Sequence, residues 1–84
     1  MKNKVLVTIY VPTIDEQYEI YIPVNETIDK VMQLIVKSIH ELSDSNFIET
    51  NKHYILDPCT SIIYENSEII RDTNIKNSKK LILI

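Results

Sequence analysis

From Ile28 to Leu42 the apolar side chains of this chain recur at spacings of three and four, and that stretch constrains the fold more than any other. Ile28, Val31, Ile35, Ile39 and Leu42 share one stripe, with Met32 and Ser38 at its flanks and Lys30, Gln33, Lys37 and Glu41 opposite. This is the pattern of an amphipathic helix with one buried face. Thr27 offers a side-chain oxygen to the free N–H groups of the first turn, and Asp29 complements the positive end of the helix dipole. Ser43-Asp44-Ser45-Asn46 ends the periodicity, so the spacing predicts a helix of about fifteen residues starting near Ile28. Such a stripe has to be buried against a second layer.

That layer is written on both sides of the helix as period-two alternation. Val5, Val7, Ile9 and Val11 fall on one face of a strand over 4–11, Pro12-Thr13-Ile14-Asp15 breaks it, and Tyr18, Ile20 and Ile22 share one face of a second strand over 17–24. These form an N-terminal hairpin. Phe47 to Lys52 is irregular; His53-Tyr54-Ile55-Leu56 and Ser61-Ile62-Ile63-Tyr64 then flank Asp57-Pro58-Cys59-Thr60 as a second, shorter hairpin. Ile69-Ile70 and Asp72-Thr73-Asn74-Ile75 read as a short helical turn or loop anchored by apolar side chains. Lys80-Leu81-Ile82-Leu83-Ile84 is a strand apolar on both faces, as in the middle of a sheet or at an exposed binding face. The order ββαβ(β)β predicts an α+β chain with a mixed sheet of four to five strands on one helix.

With 84 residues, 44% hydrophobic and 25% charged, the chain has the composition of one folded domain spanning 1–84 rather than of a disordered segment. Twelve acidic and nine basic residues give a net charge of −3, with no basic run longer than Lys79-Lys80, which argues against nucleic acid as a partner. No apolar run is long enough to span a bilayer, and Met1-Lys2-Asn3-Lys4 leads into a strand instead of a signal-peptide core, so no direct membrane insertion and a cytoplasmic location are expected. The lone Cys59 excludes an internal disulfide, in keeping with a reducing compartment. There is no glycine, so turns that need positive φ must use Asn or Asp instead, with Asn66, Asn74 and Asn77 as the candidates.

The element order, with the last strand closing the chain, resembles the β-grasp arrangement of ubiquitin. Ile70-Arg71-Asp72-Thr73-Asn74-Ile75 followed by Leu81-Ile82-Leu83 resembles ubiquitin's approach to its final strand, and Thr27-Ile28 before Val31 and Ile35 resembles its helix start. A closer resemblance, over nearly the whole chain, is to the YukD/EsaB family of ubiquitin-like proteins associated with type VII (ESX-like) secretion in Gram-positive bacteria. Val5-Leu6-Val7-Thr8-Ile9, Pro23-Val24 before the helix, and Asp72-Thr73-Asn74-Ile75-Lys76-Asn77 before the last strand carry it. In that family the last turn usually holds Asn-Gly; here Ser78 follows Asn77, which leaves Asn77 to supply the left-handed conformation. The resemblance implies a ubiquitin-like domain, an accessory role in type VII secretion, and a protein partner that includes a membrane-bound secretion component.

Ubiquitin and the sulfur carriers of this fold are activated at a C-terminal Gly-Gly. This sequence has no glycine and ends on a strand at Ile84, so a non-conjugating chain is expected. A small sulfur- or acyl-carrier role in covalent transfer is the alternative from a different class. His40, His53 and Cys59 match no zinc spacing, and Cys59 with His53 lacks an orienting third group, so no catalytic residue, no metal and no cofactor are expected. The expected site is the uncovered sheet face. If Val5, Val7 and Ile9 point inward with Leu81 and Leu83, then Leu6, Thr8, Tyr10, Ile82 and Ile84 point outward, joined by Ile55 or Tyr54 according to which faces out; Ile55 completes the expected protein-binding set. Leu6, Ile82 and Ile84 would be a contiguous apolar patch of the kind that marks a binding surface. A register shifted by one, or the stems of Lys79 and Lys80 lying across the patch, would hide it. The same face offers a route to a structural homodimer.

Overall fold

The computed structural model describes residues 3–47 and 52–84. The irregular stretch read after Phe47 and the first residues of the N-terminal segment therefore fall mostly outside the described residues. The elements in chain order are β1 (Lys4–Val11), β2 (Glu16–Pro23), α1 (Ile28–Leu42), β3 (Ile55–Asp57), β4 (Ile62–Ile63), a short 3-10 turn (Ile70–Asp72) and β5 (Lys79–Leu83). The sheet order is β2-β1-β5-β3-β4, with β5 parallel to β1 and antiparallel to β3.

The helix begins and ends as its sequence dictates. Thr27 is the N-cap, its hydroxyl accepting from the Lys30 N–H at 3.3 Å, and the Ser43 N–H closes the last turn on the Ile39 carbonyl at 2.9 Å. Ile28, Val31, Met32, Ile35, Val36 and Ile39 are buried, whereas Leu42 at the end of the expected stripe stands 62% exposed. The helix packs on the inner face of the sheet over Val7, Ile9, Val11, Ile22, Ile55, Leu81 and Leu83, with Ile70 and Ile75 sealing the connection. Each fully buried aliphatic side chain of this kind contributes about 1.5–3 kcal/mol by leaving water.

In β2, Pro23 sits opposite Lys4, and the next N–H, that of Val24, donates to Asn3 at 2.9 Å. Hydrogen bonding alternates along an antiparallel ladder, so position 23 turns its backbone away from β1, where a missing N–H leaves no bond unmade.

The turns meet the expectation of Asp or Asn at Asp15 and Asp44 and depart from it elsewhere. Positive φ falls at Asp15, Asp44, Ser45, Ser61 and Ser78, and at none of Asn66, Asn74 and Asn77. At the last turn Ser78 takes the left-handed conformation (φ 70°), and Asn77 uses its side chain instead, Oδ1 accepting from the Leu6 N–H at 2.8 Å. The Ser78 N–H donates to the Leu6 carbonyl at 2.7 Å, so the turn clasps both backbone groups of Leu6 and delivers β5 alongside β1. Asn74 is likewise committed through its side chain, to Asp57.

The second hairpin is shorter than its two apolar runs and is displaced by one or two residues. His53 and Tyr54 lie outside β3, although Tyr54 exchanges both backbone hydrogen bonds with Ile84, at 2.8 and 2.9 Å.

Candidate functional site: the outer face of the sheet

Strand register determines which side chains share the uncovered face. Tyr10 pairs with Ile82, Ile82 with Leu56, and Leu56 with Ile63. Residues directly opposite one another point to the same side. Their sequence neighbours Ile9, Leu81 and Ile55 are all buried in the core, so Tyr10, Ile82, Leu56 and Ile63 form one apolar row across four strands on the outer face. Ile63 is 45% exposed, and Tyr10, Ile82 and Leu56 are half-buried by their neighbours. One step along the strands, Ile84 lies beside Tyr54, both open to solvent. A shallow depression of about 330 Å³ lies between β1 and β5, lined by Thr8, Tyr10, Gln17, Pro58, Lys80 and Ile82.

Two expectations are corrected here. Ile55 is only 2% exposed: it pairs with Leu83, and both face the core, so β3 presents Leu56 outward and Tyr54, just before it, faces out as well. Ile55 and Leu56 are equally apolar, and nothing local chooses between them; the antiparallel register to β5 does. Leu6 does not join Ile82 and Ile84 in one patch. It is level with Ser78, next to Tyr21, and the Thr8–Lys80 row separates it from the Tyr10–Ile82 row. Leu56 and Ile63, absent from the expected set, complete the row instead. Lys79 does not lie over the row either; it turns to the core side and meets Asp57.

The polar fittings around the row are of two kinds. Beside it, the Tyr10 hydroxyl donates to Asp15 Oδ1 at 2.8 Å, and this bond to a carboxylate raises the phenol above its ordinary pKa, with minor help from desolvation. Behind it, Asp57 is a buried carboxylate with a full set of donors. It accepts from Asn74 Nδ2 at 2.8 Å, from the Cys59 N–H at 2.9 Å and from Lys79 Nζ at 3.1 Å, with the Tyr64 hydroxyl at 3.3 Å. The Asn74 bond, the Cys59 amide and the Lys79 ammonium together hold its pKa well below the usual carboxylate range against the opposing effect of burial. The single Tyr64 proton also reaches Asn74 Oδ1. Burial first, then the Asp57 charge, push that phenol up to about 12.

A carboxylate surrounded by donors is a poor base; what it does here is tie β3, the β4 flank and β5 together under the row. His53 and Cys59 stand at opposite ends of β3, the former with its ring 5.3 Å from that of Phe47 and the latter exposed. Among the described residues no cluster of three or more His, Cys, Asp or Glu is arranged to hold a metal ion. No helix among them is long and apolar enough to cross a membrane.

No family model matches this sequence, and no curated protein matches it. Solved structures match it in shape. The ubiquitin-like domain of the Mycobacterium tuberculosis type VII secretion system protein ECCD1 aligns at a TM-score of 0.77 and 14% identity, covering 96% of this chain and 97% of that one. This chain has the ubiquitin-like β-grasp fold. A chain of an ESX-5 inner membrane complex aligns at 0.71 and 10% identity over 98% of this chain, which spans only 21% of that larger chain. A chain of a toluene 4-monooxygenase complex with the inhibitor 4-bromobenzoate aligns at 0.76 and 7% identity, covering 95% of each. At such identities the likeness is one of fold, and the range of assemblies shows that a fold does not assign a function.

Proposed function

We propose that this ubiquitin-like chain is a non-catalytic, non-conjugating interaction module that docks on a protein partner through the outer face of its sheet, as an accessory to a type VII secretion apparatus. The observation that carries the reading is the Tyr10–Ile82–Leu56–Ile63 row, extended by Ile84 and Tyr54, on a face that no other element of the described chain covers. A few apolar anchors seated in a partner dominate the energy of most interfaces. The shape likeness to the ECCD1 domain and to part of an ESX-5 inner membrane complex supports a secretion component as that partner. The saturated Asp57, a poor base, is in keeping with a binding role.

The test is tagged capture from a host carrying a type VII system, using wild type, Ile82→Asp and, as a control on the far side of the molecule, Leu34→Asp. Secretion-membrane components should be recovered with wild type and Leu34→Asp and lost with Ile82→Asp. Recovery of none of them removes the secretion role, and equal recovery with Ile82→Asp removes the outer face as the docking site.

A further inference from the structure

If the outer face of the sheet is the docking surface, its geometry also constrains the chemistry of the partner segment. The row runs across the strands, not along one. Neighbouring strands are about 4.8 Å apart, so Tyr10, Ile82, Leu56 and Ile63 form a line of evenly spaced anchors about 14 Å long. An α-helix rises about 5.4 Å per turn, so a helix laid along the row sets the apolar residues of successive turns over successive strands. An extended segment presents same-face side chains about 6.6–6.8 Å apart, out of step with this spacing. It would also find no free backbone partner in the middle of the sheet, where the groups of β5 are engaged on both sides.

The charges beside the row are unevenly placed. Lys80 lies two residues before Ile82 on the same face of β5, about 7 Å along the strand. It is exposed, and among the described residues no carboxylate or hydrogen-bond partner takes up its ammonium. In the same transverse line Glu19 stands across Thr8, on β2. On the opposite side of the row the side chains of Ile84 and Tyr54 are uncharged, and the Asp15 carboxylate sits at the β1 end, accepting from the Tyr10 hydroxyl. A carboxylate on the partner is therefore favoured over β5, where it meets Lys80, and disfavoured toward β2, where it meets Glu19, although the chain as a whole has a net charge of −3.

We infer that the outer face receives an amphipathic helix lying across the strands, with apolar residues on three successive turns over Tyr10, Ile82 and Leu56, and a Glu or Asp flanking the middle one to pair with Lys80. This inference rests on the docking role proposed for that face.

The probe is a synthetic helical peptide with leucines on three successive turns and one glutamate beside the middle leucine, titrated into the full chain labelled at its Ile and Leu methyl groups. Two further peptides replace that glutamate by lysine or place a proline at the centre. The glutamate peptide should shift the methyl signals of Ile82, Leu56 and Ile63 and bind several-fold tighter than the lysine peptide, and Lys80→Glu should invert that preference. The proline peptide should lose binding. Equal binding of the proline peptide overturns the helix, equal binding of the glutamate and lysine peptides overturns the carboxylate, and shifts centred on Leu34 overturn the site. If no peptide binds while Ile82-dependent capture of a secretion component persists, the helix is overturned and the docking face stands; if both fail, the docking face falls too.

Discussion

The β1–β2 ladder runs through eight register pairs, while β3–β4 has two. The long hairpin is held by its own alternation: Val7, Ile9, Val11 and Ile22 enter the core, and the ladder satisfies the backbone along its length. The short pair has neither resource. Ile62 and Ile63 are both exposed, and the hairpin is anchored instead by the Ser61 and Tyr64 amides on the carbonyls of Asp57 and Ile55, and by the side chains gathered on Asp57. Where a ladder is too short to fix a strand, a satisfied buried carboxylate takes over that task, and here it aligns the two strands that contribute Leu56 and Ile63 to the docking row. A buried charge is tolerated only when paired and hydrogen-bonded in this way.

The most damaging way to test this contrast is to remove an anchor of the long hairpin. Ile9→Ala, at a fully buried site, should cost about 2–5 kcal/mol in denaturant unfolding and lower the stability of the whole chain. A cost confined to β1 and β2, with the rest of the chain unaffected, would break the picture of one shared core.

Next in size is Asp57→Asn. Hydrogen exchange at Ser61 and Tyr64 should accelerate far more than exchange along β1 and β2, because Lys79 and Asn74 lose the charge they are arranged around. Uniform acceleration would mean that the network serves the global core and not the short hairpin.

The same residue gives a pH signature. The folded pKa of Asp57 lies below that of an unfolded aspartate, so its contribution is complete above about pH 4 and is lost as the pH falls from there through the depressed value. Melting temperatures of wild type and Asp57→Asn should therefore differ at neutral pH and converge in acid. A gap that stays constant down to about pH 2 would contradict the assignment.

The smallest expected effect sharpens the comparison at the turns. Ser78→Gly should gain up to about 1 kcal/mol, since glycine adopts the left-handed conformation without a Cβ clash and Ser78 makes its bond to Leu6 through the backbone. Asp15→Gly in the first hairpin should gain less or lose stability, because Asp15 accepts from the Tyr10 hydroxyl through its side chain. Thermal melts of the two variants decide the order.

Much of this molecule was legible locally. The helix from Ile28 to Leu42 with its Thr27 cap, the strand over 4–11 and the inward set Val7, Ile9 and Val11 all follow from periodicity and capping, which depend on residues a few positions apart. The outward placement of Tyr10, Ile82 and Ile84 followed from the same alternation. Legibility failed where the chain offered two apolar residues in succession, as at Ile55-Leu56, and where the parallel β1–β5 register set Leu6 apart from Ile82. It failed also at Asp57, whose burial depends on donors from Asn74 and Lys79, 17 and 22 residues further along the chain.

The sequence by itself determined which segments are strands, which is the helix, and which face of β1 and of the helix is apolar, because those properties arise from the spacing of side chains within one element. Only the tertiary structure decided which strands adjoin, in what register, and hence that Leu56 and Ile63 continue the row that Tyr10 and Ile82 begin. A shift of one residue in strand pairing turns every side chain of that strand to the other face, and its cost is set by partners that no local pattern names.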